Sequence, residues 1–247
     1  MGNKFNLHIY RLLALITIFS VAMGMLESSV VIYLRELYYP GGFHFPVRAT
    51  SYTVAVTELL RELATMVMLL TIGMVAGRNK HERFAWFIYS FAIWDIFYYI
   101  FLYLMIGWPA SLMDWDILFL LPIMWTGPVW APLLLSTMMI ILAVCILFFS
   151  NPNRNAHLKL MEWIILITGS IVVVIGFCKD FYISMTTLYP LIPATKLFFS
   201  KQTGEYAAKY VPKNFDLRVF AIGSALIFTG ICIFVLRNAK KSEIRMD

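Results

Sequence analysis

Residues 55–70 read AVTELLRELATMVMLL, and this stretch decides the class of fold. It belongs to an apolar run over 52–76, longer than the ~20 residues a helix needs to cross bilayer hydrocarbon. Glu58, Arg61, Glu62 and Thr65 interrupt it at i, i+3, i+4 and i+7. At about 100° per residue they fall within roughly 100° of arc, so they form one polar stripe on an otherwise apolar helix. An ionised side chain at membrane depth costs at least ~2.5–3.5 kcal/mol on insertion scales. The stripe therefore has to face the interior of a bundle, where Arg61 can meet a carboxylate.

Similar runs recur on both sides of it. Spans are expected at 10–34, 52–76, 84–106, 128–149, 162–183 and 217–236, with outer loops at 107–127 and 184–216. The 247 residues thus read as a single all-α transmembrane bundle of about six spans. The composition agrees: 61% of residues are hydrophobic, 14% are charged and the mean hydropathy is +0.77. Soluble domains hold roughly 45–50% apolar and about 25% charged residues. The net charge of +6 does not indicate a nucleic-acid partner, because Lys and Arg sit between apolar runs. There they set orientation and touch anionic headgroups.

Placing both termini in the cytoplasm puts eleven basic residues inside, Lys4, Arg11, Arg78 and Lys80 among them, against about eight outside. That arrangement, in a cell membrane, follows the positive-inside rule. Residues 4–24 have some features of a cleavable signal, but the apolar run continues to Leu34 and fits a retained first span. Cys145, Cys178 and Cys232 lie in or beside spans without a CxxC and read as small packing side chains.

Two outer segments are more than connectors. GWPASLMDWDILFLLPIMWTGPVWAP, residues 107–132, carries four Trp and four Pro. Its prolines forbid one uninterrupted helix from Asp116 to Phe149, and the pattern predicts a short half-helix over 116–121 that re-enters the outer leaflet. The long loop 184–216 alternates Lys196, Lys201, Lys209 and Lys213 with Phe and Tyr, as expected of an element anchored at a membrane surface.

Charges from several helices are expected at similar depth. Glu27 lies ~10 Å below the outer end of span 1, at 1.5 Å per residue, and Glu58 and Glu62 occupy the outer half of span 2. Ser20, Gly24 and Glu27 share a face suited to close helix approach. Asp95 sits near the middle of span 3, Lys179 and Asp180 close the outer end of span 5, and Asp114 and Asp116 lie in the loop above. Glu27, Glu58, Glu62 and Asp95 give four buried acids to Arg61 as the one buried base. The surplus has to be protonated, to bind a cation or to face water.

These nine residues, Glu27, Glu58, Arg61, Glu62, Asp95, Asp114, Asp116, Lys179 and Asp180, are the candidate ligand- or ion-binding set. No catalytic residue is assigned. His8, His44, His81 and His157 all fall in ends or loops, which disfavours haem and a His-based zinc site. No HExxH, GxSxG or P-loop occurs. The leading expectation is a small proton- or cation-coupled carrier, in which Arg61 orients the acids or holds a small anionic ligand. A membrane enzyme acting on a lipid or isoprenoid substrate, and an assembly subunit with membrane-protein partners, are the alternatives.

Overall fold

The computed structural model describes residues 2–150, 157–188 and 206–243. Three helices come first: α1 (Gly2–Tyr38), α2 (Tyr52–Ala76) and α3 (Lys80–Ile106). A hairpin of β1 (Trp115–Phe119) and β2 (Trp125–Pro128) follows, then α4 (Trp130–Phe149), α5 (Leu160–Leu188) and α6 (Leu217–Glu243). All six helices are long and apolar enough to cross a bilayer, so the chain is a multi-pass membrane protein with a helical-bundle fold. The greater part of the expected surface-anchored loop, residues 189–205, lies outside the described residues, as do Arg154 and Arg245.

The helix ends are fixed locally. Ser51 caps α2 by accepting from the Val54 N–H, and the Asn79 side chain accepts from the N–H groups of His81 and Glu82 at the start of α3. Glu82 reaches back to the Arg78 N–H at 3.0 Å, which completes a reciprocal cap. At the other end of α3, Gly107 adopts φ +66, the left-handed conformation that glycine enters without a Cβ clash.

Close approach holds the helices together. α3 packs against α1, α2 and α4, while α5 and α6 form a second, tightly joined pair. A Cβ on Gly169 would sit 2.8 Å from Ile227 and 2.9 Å from the Gly223 carbonyl oxygen, so these two helices touch through bare backbone. On α1 the buried small residues are Ser20, Gly24 and Ser28, and Ser28 donates to the Tyr98 carbonyl of α3 at 3.0 Å. Glu27 is not part of that seam; it is turned sideways, towards α2.

One expected element is corrected. Residues 116–121 are not a half-helix: 115–119 form an antiparallel strand paired with 125–128, in the register Trp115↔Pro128, Asp116↔Gly127 and Ile117↔Thr126. A short apolar run satisfies helix and strand patterns equally, and here aromatic and β-branched residues at alternate positions favour the strand. The pairing continues into the flanks, where Val129 N–H donates to Asp114 and Trp130 N–H to Leu112.

The hairpin packs its aromatic side chains against α3 and α5. Phe119 stacks on Phe91, about 22 Å along α3 from Ile106. Trp125 lies parallel to Phe177, about 16 Å along α5 from Leu188. Gly127 leaves room for the Phe177 ring, which would stand 3.0 Å from a Cβ there.

Gly169→Ala should lower unfolding stability by about 1–3 kcal/mol, the usual cost of overpacking a tight contact. Gly41→Ala, where nothing lies within 4 Å of an added Cβ, should be near neutral. Thermal unfolding of both variants in one detergent compares them directly.

Candidate functional site

Arg61 lies between two carboxylates. Its guanidinium donates to Glu58 Oε2 through Nε at 3.1 Å and through a terminal nitrogen at 2.9 Å, and its other terminal nitrogen contacts Glu27 Oε1 across the α1–α2 gap. Thr65 Oγ1 donates to Glu27 Oε2 at 3.1 Å, so two members of the α2 stripe meet the same α1 acid. The spacing that puts Glu58, Arg61 and Thr65 on one helix face makes this possible.

Glu62 belongs to the same stripe but has a different task. Its carboxylate accepts the Leu120 backbone N–H at 2.9 Å, at the turn where β1 ends and ladder pairing stops. An unpaired N–H among apolar helices costs several kcal/mol. Glu62 satisfies this one from a neighbouring helix.

A second cluster surrounds Asp116, which is buried. It accepts from Arg35 at 3.3 Å and from the Tyr99 hydroxyl at 3.2 Å. The Arg35 guanidinium also lies 3.7 Å from the centroid of the Trp108 ring and 4.6 Å from that of Phe43, both within cation–π range. Arg61 is therefore not the one buried base, as the sequence reading had it. Arg35 sits three residues from the end of α1, where the hairpin and Trp108 cover it to 8% exposure.

Asp95 stands apart from both clusters and accepts from Ser136 Oγ of α4 at 2.7 Å. Five acids (Glu27, Glu58, Glu62, Asp95, Asp116) and two bases (Arg35, Arg61) thus fall into separate contacts around Arg61, the hairpin and Ser136. The indole N–H groups of Trp94 and Trp125 have no acceptor among the described residues.

The other three candidates fall elsewhere. Asp114 caps the loop before β1, accepting from the N–H groups of Ala110 and Ser111. Lys179 pairs with Asp216 at 2.5 Å, and Asp180 accepts the Tyr210 hydroxyl at 2.5 Å and the Lys213 N–H at 3.2 Å. These contacts tie α5 to the segment before α6 and do not join the Arg61 layer. No family model, curated protein or solved structure matches the chain. The functional reading therefore rests on the residues themselves.

Sequence reasoning missed Arg35, Tyr99, Ser136 and Asp216 as partners. It also missed two acids at the opposite end of the bundle. Glu162, 1% exposed, is held in a two-point pair by Arg237 at 2.7 and 2.8 Å, and Glu82 pairs with Arg78 at 2.7 Å. Their position in the first turn of a helix was the available signal. Among the described residues no group of three or more His, Cys, Asp and Glu is arranged to hold a metal ion.

Removing one partner of a buried pair costs more than removing the pair. Arg61→Gln should destabilise the protein by on the order of 3 kcal/mol, whereas Glu27→Gln/Glu58→Gln/Arg61→Gln should recover much of that loss. A thermal-unfolding cycle over these variants reads the difference. Asp216 supplies a pH dependence, because its hydrogen bond from Lys179 holds the carboxyl below the ordinary carboxylate range. A depressed value contributes stability above the unfolded pKa of about 3.9 and loses it as pH falls through the folded one. Wild type should accordingly lose more thermal stability than Asp216→Asn as pH falls below 4.

Proposed function

We propose that the chain is a small proton- or cation-coupled carrier whose working layer is the set of carboxylates around the hairpin. One observation carries this reading. Glu62 and Asp95 each accept one hydrogen bond from a neutral donor, and neither has a cationic group within 4 Å among the described residues. An acid inserted among membrane helices without a counter-charge is expensive, and its usual use is to take up and release a proton or a cation. The two unpartnered indole N–H groups beside the hairpin suit a hydrated layer, which proton exchange needs.

Glu62 gives the proton a mechanical consequence. As a carboxylate it holds the Leu120 N–H; protonated, it is a weaker acceptor and loosens its grip on the hairpin turn. Protonation would then be coupled to movement of the element that fills the bundle. Arg61 is already balanced by Glu27 and Glu58 and is a poor receiver for an anion. Its part is to join α1 to α2. With both termini in the cytoplasm of a cell, the hairpin end faces outward and the layer exchanges with the external medium.

Proteoliposomes enclosing a pH-sensitive dye test the proposal. Wild type should support proton flux across an imposed pH or cation gradient, and Glu62→Gln and Asp95→Asn should each remove most of it. Undiminished flux in both variants, or no flux in wild type over a range of cation gradients, contradicts a carrier and favours an assembly subunit.

A further inference from the structure

A cleft of about 520 Å³ lies at the hairpin end of the bundle, away from the acid layer, between the loop that follows α1 and the segment that precedes α6. His44 and Arg48 line it from the first loop and Lys209 from the second, with Pro46, Val47 and Ala208 supplying apolar wall. More than 150 residues of chain separate the two sides, so tertiary folding brings these basic groups together.

Their pairing differs from that of the more buried cations near this end. Arg35, Arg61 and Lys179 each have a carboxylate within 4 Å. Arg48 and Lys209 have none among the described residues, and no carboxylate is among the described residues that line the cleft. The nearby Asp180 is already taken by Tyr210 and Lys213. Arg48 is held in position all the same. Its backbone N–H donates to the Tyr39 hydroxyl at 2.5 Å, and its guanidinium lies 6.0 Å from the Tyr39 ring centroid. Two cations and an imidazole thus border one cleft whose described lining residues include no carboxylate, a setting that favours an anion over a cation.

The chemistry narrows the anion. A guanidinium fork and an ammonium together match an anion with three oxygens better than a carboxylate with two. The apolar wall suits a phosphate carried on a hydrocarbon-bearing group. Tyr39, in contact with Arg48, follows the end of α1, and aromatic side chains at the ends of membrane helices commonly meet lipid headgroups. We infer that this cleft binds a phosphate-bearing anion through Arg48, Lys209 and His44, independently of the carrier reading. The phosphate can come from an anionic lipid headgroup or from a free phosphate, and the test separates the two.

The full chain in nanodiscs of phosphatidylglycerol and phosphatidylcholine is released into the gas phase, and the lipids it retains are weighed. Wild type should retain phosphatidylglycerol over phosphatidylcholine, and Arg48→Gln/Lys209→Gln should cut that preference by about tenfold, as expected for two lost surface cations. Lys80→Gln, at the opposite end, should leave it unchanged. In parallel, inorganic phosphate is titrated against thermal unfolding in detergent. A shift seen in wild type and absent from the double variant assigns the site to free phosphate; lipid retention without such a shift assigns it to a headgroup. Equal lipid retention in wild type and double variant, with equal phosphate response, overturns the proposal. Matching unfolding midpoints in pure phosphatidylcholine establish that the double variant is folded.

Discussion

Backbone placed among apolar helices has to find a partner for each N–H and C=O, because neither hydrocarbon nor packed side chains supply one. The hairpin of residues 115–128 is the part of this protein that carries that burden. Its two strands satisfy each other through the ladder and its extension to Leu112 and Asp114. At Leu120 the ladder gives out, and Glu62 of α2 takes over as acceptor. Asp116 anchors the first strand to α1 through Arg35 and to α3 through Tyr99. Phe119 and Trp125 fill space against α3 and α5. Most buried charges at this end of the bundle make sense as supports for this one element.

The same arrangement explains why so many acids are tolerated. Glu27 and Glu58 share Arg61, and Asp116 has Arg35, so three of the five acids have an ionic partner. Buried ion pairs of this kind add little net stability over apolar packing, yet breaking one is costly, which makes them good at fixing one arrangement. Glu62 and Asp95 lie outside this balance. Their partners are neutral, a backbone amide and a serine hydroxyl.

The spans were legible because length and hydropathy fix them almost without reference to tertiary structure, and the observed helices mainly extend them at the ends. The polar stripe of α2 was legible for the same reason: periodicity alone brought Glu58, Arg61 and Thr65 to one face, and depth alone matched them to Glu27. The hairpin was not. DILFLL reads as readily helical as extended, and the alternation of Trp115, Ile117 and Phe119 was the signal for a strand. With the hairpin went its consequences, since the Arg35–Asp116 and Glu62–Leu120 contacts span 81 and 58 residues of sequence and exist only once the strands are in place. Asp114, Lys179 and Asp180 carry charge like the residues around Arg61 and Asp116, but their hydrogen bonds, invisible in sequence, join them to the loop before β1 and the segment before α6.

Hydrogen–deuterium exchange over residues 112–130, on the intact protein in nanodiscs, tests the internal hairpin most directly. A paired and covered hairpin predicts amide protection at 116–127 comparable with the middle of α3, and faster exchange at Leu120 when Glu62 is replaced by Gln. Exchange across 115–128 as rapid as in the exposed loop 39–51 would contradict it.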